Sequence, residues 1–211
     1  MMLASAQGVR LTGEEGDMTS KWPTMLGAVA GAAALGAGLQ VGGTGLEGWH
    51  LAARWTARIG FPIFLITYAA SSFARLSPAP WSRGLVRDRR WWGLGFAASH
   101  TIHLFALIVA LRLDPEPRTL VSLIPGGIAY AFIFAMALTS NDAAMRTLGR
   151  NWKRLHTLGI HVIWLIFTLA YAKRIPLAES RAIAVPMTLL ALAALGLRVL
   201  ARRPRRAAGL A

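Results

Sequence analysis

Four of the five histidines sit inside long apolar stretches, where an ionisable side chain is costly and tends to be paired or used. His100 and His103 fall in "RRWWGLGFAASHTIHLFAL", and His156 and His161 in "LGRNWKRLHTLGIHVIWLIF". Two neutral imidazoles facing one another in an apolar bundle are the donor set of a bis-histidine b-type haem, an apolar macrocycle whose iron is saturated by two nitrogen ligands. The plainer alternative is that each ring hydrogen-bonds a carbonyl or hydroxyl on a neighbouring helix. At about 100° per residue, His100 and His103 are about 60° apart around a helix, so either can turn toward one partner. His156 and His161 are about 140° apart, so only one of them faces a given partner.

The residue types that are missing narrow the chemistry. There is no cysteine, which excludes disulfides, thiolate zinc sites, iron–sulfur clusters, cysteine nucleophiles and covalently attached haem. No Asp or Glu lies in any apolar stretch, which counts against a non-haem metal shell and against a proton or cation transporter. No Walker or glycine-rich dinucleotide motif is present.

The elements that must position the histidines are membrane helices. The chain has 211 residues, 55% of them hydrophobic, and apolar stretches of about 20 residues cross a bilayer as helices because every backbone polar group is then satisfied internally. Six are expected, at 24–44, 56–76, 91–111, 119–139, 153–173 and 182–201. The prediction is an all-α integral membrane protein, a six-transmembrane-helix bundle. The first span is rich in glycine and alanine, and the spacing of Gly27 and Gly31 suits close helix packing. Residues 1–22 read as a polar leader, disordered or peripheral, without the short basic start of a secretory signal. Residues 23–201 read as the transmembrane domain and 202–211 as a basic tail.

Charge gives the orientation. The formal net charge is +14, and with six helices 16 of the 23 basic residues fall on one side, in the leader, the 75–90 and 141–154 loops and the tail. Both termini are therefore expected to be cytoplasmic, in a bacterial inner membrane. The "RRPRR" run has no aromatic or glycine-rich company, so nucleic acid is not expected and acidic lipid is. Trp81, Trp91, Trp92 and Trp152 are expected in the interfacial belt, and Pro62, Pro125 and Pro186 lie where they can bend helices.

"RRWWGLGFAASHTIHL" followed by "ALTSNDAAMRTLGRNWKRLHTLG" resembles the ferric reductase-like transmembrane domain, over about residues 52–175. Within that family the likeness is nearest to the haem-binding membrane subunit of the bacterial periplasmic methionine sulfoxide reductase system. The resemblance implies haem b with His103 and His156 as iron ligands. A further family histidine, about thirteen residues beyond the second of these, is Leu169 here. Depth counting instead pairs His103 with His161, and His100 is the remaining candidate. The resemblance also implies that Arg150, Lys153 and Arg154 meet haem propionates or a flavin phosphate. The expected role is an electron-transfer component of an oxidoreductase system that draws on flavin or quinone and serves a redox partner protein, rather than a self-sufficient enzyme. A haem-free assembly or interaction subunit is the alternative that Leu169 suggests.

Overall fold

A computed structural model describes residues 12–116 and 118–203, with side chains from residue 21 onward. Helices account for all the regular structure among these residues: α1 (Thr12–Gly42), α2 (Leu46–Leu76), α3 (Pro80–Arg87), α4 (Arg89–Leu113), α5 (Leu120–Leu138), α6 (Asp142–Leu148), α7 (Arg150–Ala172) and α8 (Ala178–Leu200). Six of them are long and apolar enough to cross a membrane: α2, α4, α5, α7, α8 and the Lys21–Gly42 part of α1.

The spans match the hydropathy reading except at two starts. Backbone helix already runs from Thr12, inside the stretch assigned to the polar leader, while residues 1–11 and 204–211 lie outside the described residues. Helix α2 begins at Leu46 rather than at about 56, so His50, Arg54 and Arg58 are helical. Glu47 lies in its first turn, where a carboxylate complements the helix dipole, and the Arg54 Nε–H donates to the His50 carbonyl at 3.3 Å. Summed hydropathy misses such a turn because it counts polar heads that reach to the membrane edge as breaks.

The two short helices fill the basic loops. Pro80 starts α3, where a missing N–H is harmless, and the Ser82 hydroxyl donates to the Ser77 carbonyl at 2.7 Å. Asn141 caps α6 by accepting from the Ala144 N–H at 2.8 Å. The corner from α6 into α7 is Gly149, at φ +48°, a left-handed conformation that favours glycine.

Packing divides the bundle. α1, α2 and α4 press together along small residues: a Cβ at Gly27 would overlap the Gly95 backbone, and one at Gly38 the Ala52 backbone. In lipid such close backbone approach replaces the hydrophobic drive as the source of helix association. On the other side α7 packs on α5 and α8, and α8 returns to α2. An aromatic core of Phe61, Phe64, Tyr68, Phe96 and Phe167 joins the two halves, with neighbouring ring centroids 5.1–6.1 Å apart.

Candidate functional site

Between α4 and α7, at the end of the bundle that carries the basic loops, lies a cavity of about 810 Å³. Its inner wall is apolar, built from Phe64, Phe96, Ile133, Met136 and Ile160, and the His156 imidazole is part of its lining. Its mouth is basic, with Arg75, Arg87, Arg89, Arg90, Lys153, Arg198 and Arg202 from five different segments. An apolar body with a cationic mouth suits an amphipathic, anionic, planar ligand, and the volume is within the usual 300–1,000 Å³ of small-molecule sites, roughly.

Two of these cations are fixed by the backbone. Arg89 donates from Nε to the Thr67 carbonyl at 3.1 Å and from Nη1 to the Ser71 hydroxyl at 3.3 Å. Arg198 donates from Nη1 to the Tyr68 carbonyl at 2.8 Å and lies over the Tyr68 ring at 4.6 Å. These bonds hold both guanidinium groups in place without neutralising them. Arg90 is paired with Asp142 at 2.9 Å, which ties α4 to α6. Arg87 chelates Asp88, and this hydrogen bond raises its pKa above the ordinary value.

The histidines occupy three environments. His156, at the cavity, places Nε2 3.0 Å from Thr139 Oγ1, and its ring stacks on Trp152 with centroids 4.2 Å apart. Trp152 is itself anchored, donating from Nε1 to the Thr139 carbonyl at 2.8 Å. His103 and His100 lie deeper on α4, beyond Phe96. His103 places Nδ1 3.0 Å from Thr56 Oγ1 on α2. His100 is sealed, with its ring 4.3 Å from Phe96, 5.3 Å from Phe167 and 5.4 Å from His103, and its Nδ1 has no partner. The fit around it is close, since a Cβ at Gly60 would overlap the imidazole. His161 stands apart. Its Nδ1 bonds the Thr157 carbonyl at 2.6 Å, and the ring faces the edge of Tyr68 and a shelf with Leu155 and Leu158.

Of the residues singled out from sequence, His156 lines the cavity, Lys153 lines both the cavity and the shelf beside His161, Arg150 and Arg154 line that shelf, and His100 and His103 line neither, so the two expected ligands His103 and His156 do not share one cavity wall. Leu169, where the resemblance implies a histidine, is 57% exposed on α7. Among the described residues there is no group of three or more histidine and carboxylate side chains placed to share a metal ion. Sequence reading missed Arg89 and Arg198. A signal existed, because both lie within helices that cross the membrane, where a cation is unusual. Trp92 and Trp152, assigned to the belt, turn inward, Trp92 being 8% exposed and Trp152 stacked on His156.

The chain is 32% identical over 125 residues to the protein-methionine-sulfoxide reductase heme-binding subunit MsrQ of Klebsiella pneumoniae, covering 52% of this chain and 60% of that protein. It is 30% identical over 132 residues to the MsrQ heme-binding subunit of Cronobacter sakazakii, covering 55% of this chain and 64% of that protein. The alignments thus span less than two thirds of the relatives' length. No family model and no solved structure matches the chain. Over about half its length, this multi-pass membrane protein is close in sequence to MsrQ heme-binding subunits.

Proposed function

We propose that the chain is a b-haem-binding membrane electron-transfer subunit of ferric reductase-like type, handing electrons to a partner oxidoreductase across a bacterial inner membrane. The observation that carries this reading is the cavity between α4 and α7, apolar within, ringed by arginines at its mouth and walled by a histidine. These features fit the group. The wall of Phe64, Phe96, Ile133 and Ile160 accepts an apolar macrocycle, the fixed guanidinium groups of Arg89 and Arg198 suit its propionates, and His156 in the wall offers one neutral nitrogen donor, while His103, the other ligand the family resemblance implies, lies deeper on α4 outside this lining. His100, His161, Arg150 and Arg154 are secondary candidates. Haem, when bound, supplies the one-electron carrier, while the chain holds it, excludes water from its inner edge and balances its negative charge.

The basic end is proposed to face the cytoplasm, with both termini there, so that a flavin or quinone donor reaches the cavity mouth. The excess of arginine at that end supports this orientation. The test is a dithionite-reduced minus oxidised absorption spectrum of the purified protein, repeated on His156→Ala and His103→Ala. Loss of the b-type signal in both variants, with membrane insertion unchanged, is the expected outcome. Retention of full haem content in both would overturn the ligand assignment.

One observation favours a second reading. Leu169 presents an aliphatic side chain to the exterior where the ferric reductase-like resemblance implies a histidine, which suits a chain acting as a haem-free assembly subunit. A folded preparation that stays colourless after haem-supplemented expression is the outcome that would favour it.

A further inference from the structure

We propose that the exposed shelf on α7, where Arg150, Lys153 and Arg154 line one groove with Leu155 and Leu158, is a binding site for an anionic phospholipid of the leaflet that borders the basic loops. The inference goes beyond the haem reading and stands without it. It gives Arg150 and Arg154 a lipid phosphate to hold rather than a haem propionate.

The register of α7 builds the site. At about 100° per residue, Arg154, Thr157 and His161 lie within about 40° of Arg150 around the helix, with Lys153 about 60° to one side and Leu158 about 80° to the other. One face of α7 thus carries three cations at its start and aliphatic surface directly after them. At about 1.5 Å per residue, Leu155 and Leu158 lie about 8 and 12 Å beyond Arg150 along the axis. Because α7 is long and apolar enough to cross a membrane, that distance leads from the headgroup region into the hydrocarbon. The groove has a volume of about 630 Å³, and Arg150, Lys153, Arg154 and Leu158 are exposed along it.

The chain does not neutralise this charge itself. Helix α7 contains no Asp or Glu, and among the described residues Arg150, Lys153 and Arg154 make no hydrogen bond or ion pair. Other cations at the same end are occupied: Arg87 by Asp88, Arg90 by Asp142, and Arg89 and Arg198 by carbonyls of α2. Three like charges within about one turn repel one another, and a phosphodiester among them relieves the repulsion while accepting the guanidinium hydrogen bonds. A free phosphate would leave the leucines bare, and a neutral lipid would leave the cations unpaired. An anionic diacyl lipid covers both.

Lys153 and Thr157 border the cavity as well as the shelf, whereas Arg150 and Arg154 border the shelf alone, so the test uses those two. The experiment is native mass spectrometry of the full-length protein in a neutral detergent, titrated with phosphatidylglycerol, phosphatidylcholine or glycerol 3-phosphate. The first phosphatidylglycerol should bind about tenfold more tightly than phosphatidylcholine, and glycerol 3-phosphate should not displace it. Arg150→Gln with Arg154→Gln should weaken that first binding by about 10- to 30-fold, Arg154→Gln alone by about fivefold, and Arg150→Lys with Arg154→Lys should restore most of it. Arg83→Gln with Arg203→Gln removes the same charge from the same end outside the shelf, and should leave the first binding unchanged. An equal loss in that control pair would reduce the effect to diffuse surface charge and overturn the site. Equal affinity for phosphatidylcholine, displacement by glycerol 3-phosphate, or a second copy of the chain held in place of lipid would overturn it too. A wild type that binds no haem yet selects phosphatidylglycerol through Arg150 and Arg154 would overturn the haem reading and leave the lipid site standing.

Discussion

The Thr56–His103 site and the Thr139–His156 site are built from the same parts and set differently. Each threonine bonds the carbonyl four residues back at 2.7 Å and meets an imidazole nitrogen at 3.0 Å. At Thr56 the nitrogen is Nδ1 and the neighbours are the buried alanines Ala52, Ala53 and Ala106. At Thr139 the nitrogen is Nε2, and the ring lies in the wall of a cavity that Lys153 and Met145 also line. The difference teaches that histidine identity and helix placement do not by themselves define a ligand. The acceptor that fixes the other ring nitrogen decides which lone pair is available.

The largest effect expected from this comparison is at His103. His103→Ala should abolish haem retention, read as haem per chain after purification, and His156→Ala should lose haem as well. Opposite charge at the cavity mouth comes next. Replacing Arg89 and Arg198 together by Leu removes both backbone-fixed cations, and should weaken haem affinity at least tenfold in a haem-transfer titration to apomyoglobin, roughly the strength of one charge-assisted pair.

Gly60→Ala is expected to act on the sealed side only. Its new Cβ would displace the His100 ring, costing about 1–3 kcal/mol of overpacking strain, visible as a lower midpoint of thermal unfolding in detergent. Thr139→Val should free His156 Nε2 and tighten haem binding by up to about fivefold, or about 1 kcal/mol. The smallest effect belongs to Tyr68→Phe. The Tyr68 hydroxyl is buried without a partner, so its removal should leave stability unchanged or higher, within about 0.5 kcal/mol in the same unfolding assay.

Much of the architecture was readable in the sequence, because a bilayer forces apolar helices and six of them stand out by length and hydropathy. Helices α3 and α6 were not, since eight and seven residues in charged loops give too short a pattern to separate from a turn. The histidines were legible as rare ionisable groups at membrane depth. Their partners were not, because Thr56 is 47 residues from His103 and a threonine in a membrane helix carries no pattern of its own. Arg89 and Arg198 were hidden by counting. Summed with their neighbours they read as topogenic charge, and only folding turns these two inward while Arg150 and Arg154 stay on the outer shelf.

The decisive measurement is haem content, by pyridine haemochromogen assay and reduced minus oxidised spectrum, of the full-length protein purified from haem-supplemented cells. About one b-type haem per chain, lost in His103→Ala, is the expected result. A well-folded wild type with no haem would contradict the electron-carrier account and leave the cavity between α4 and α7 to another anionic ligand.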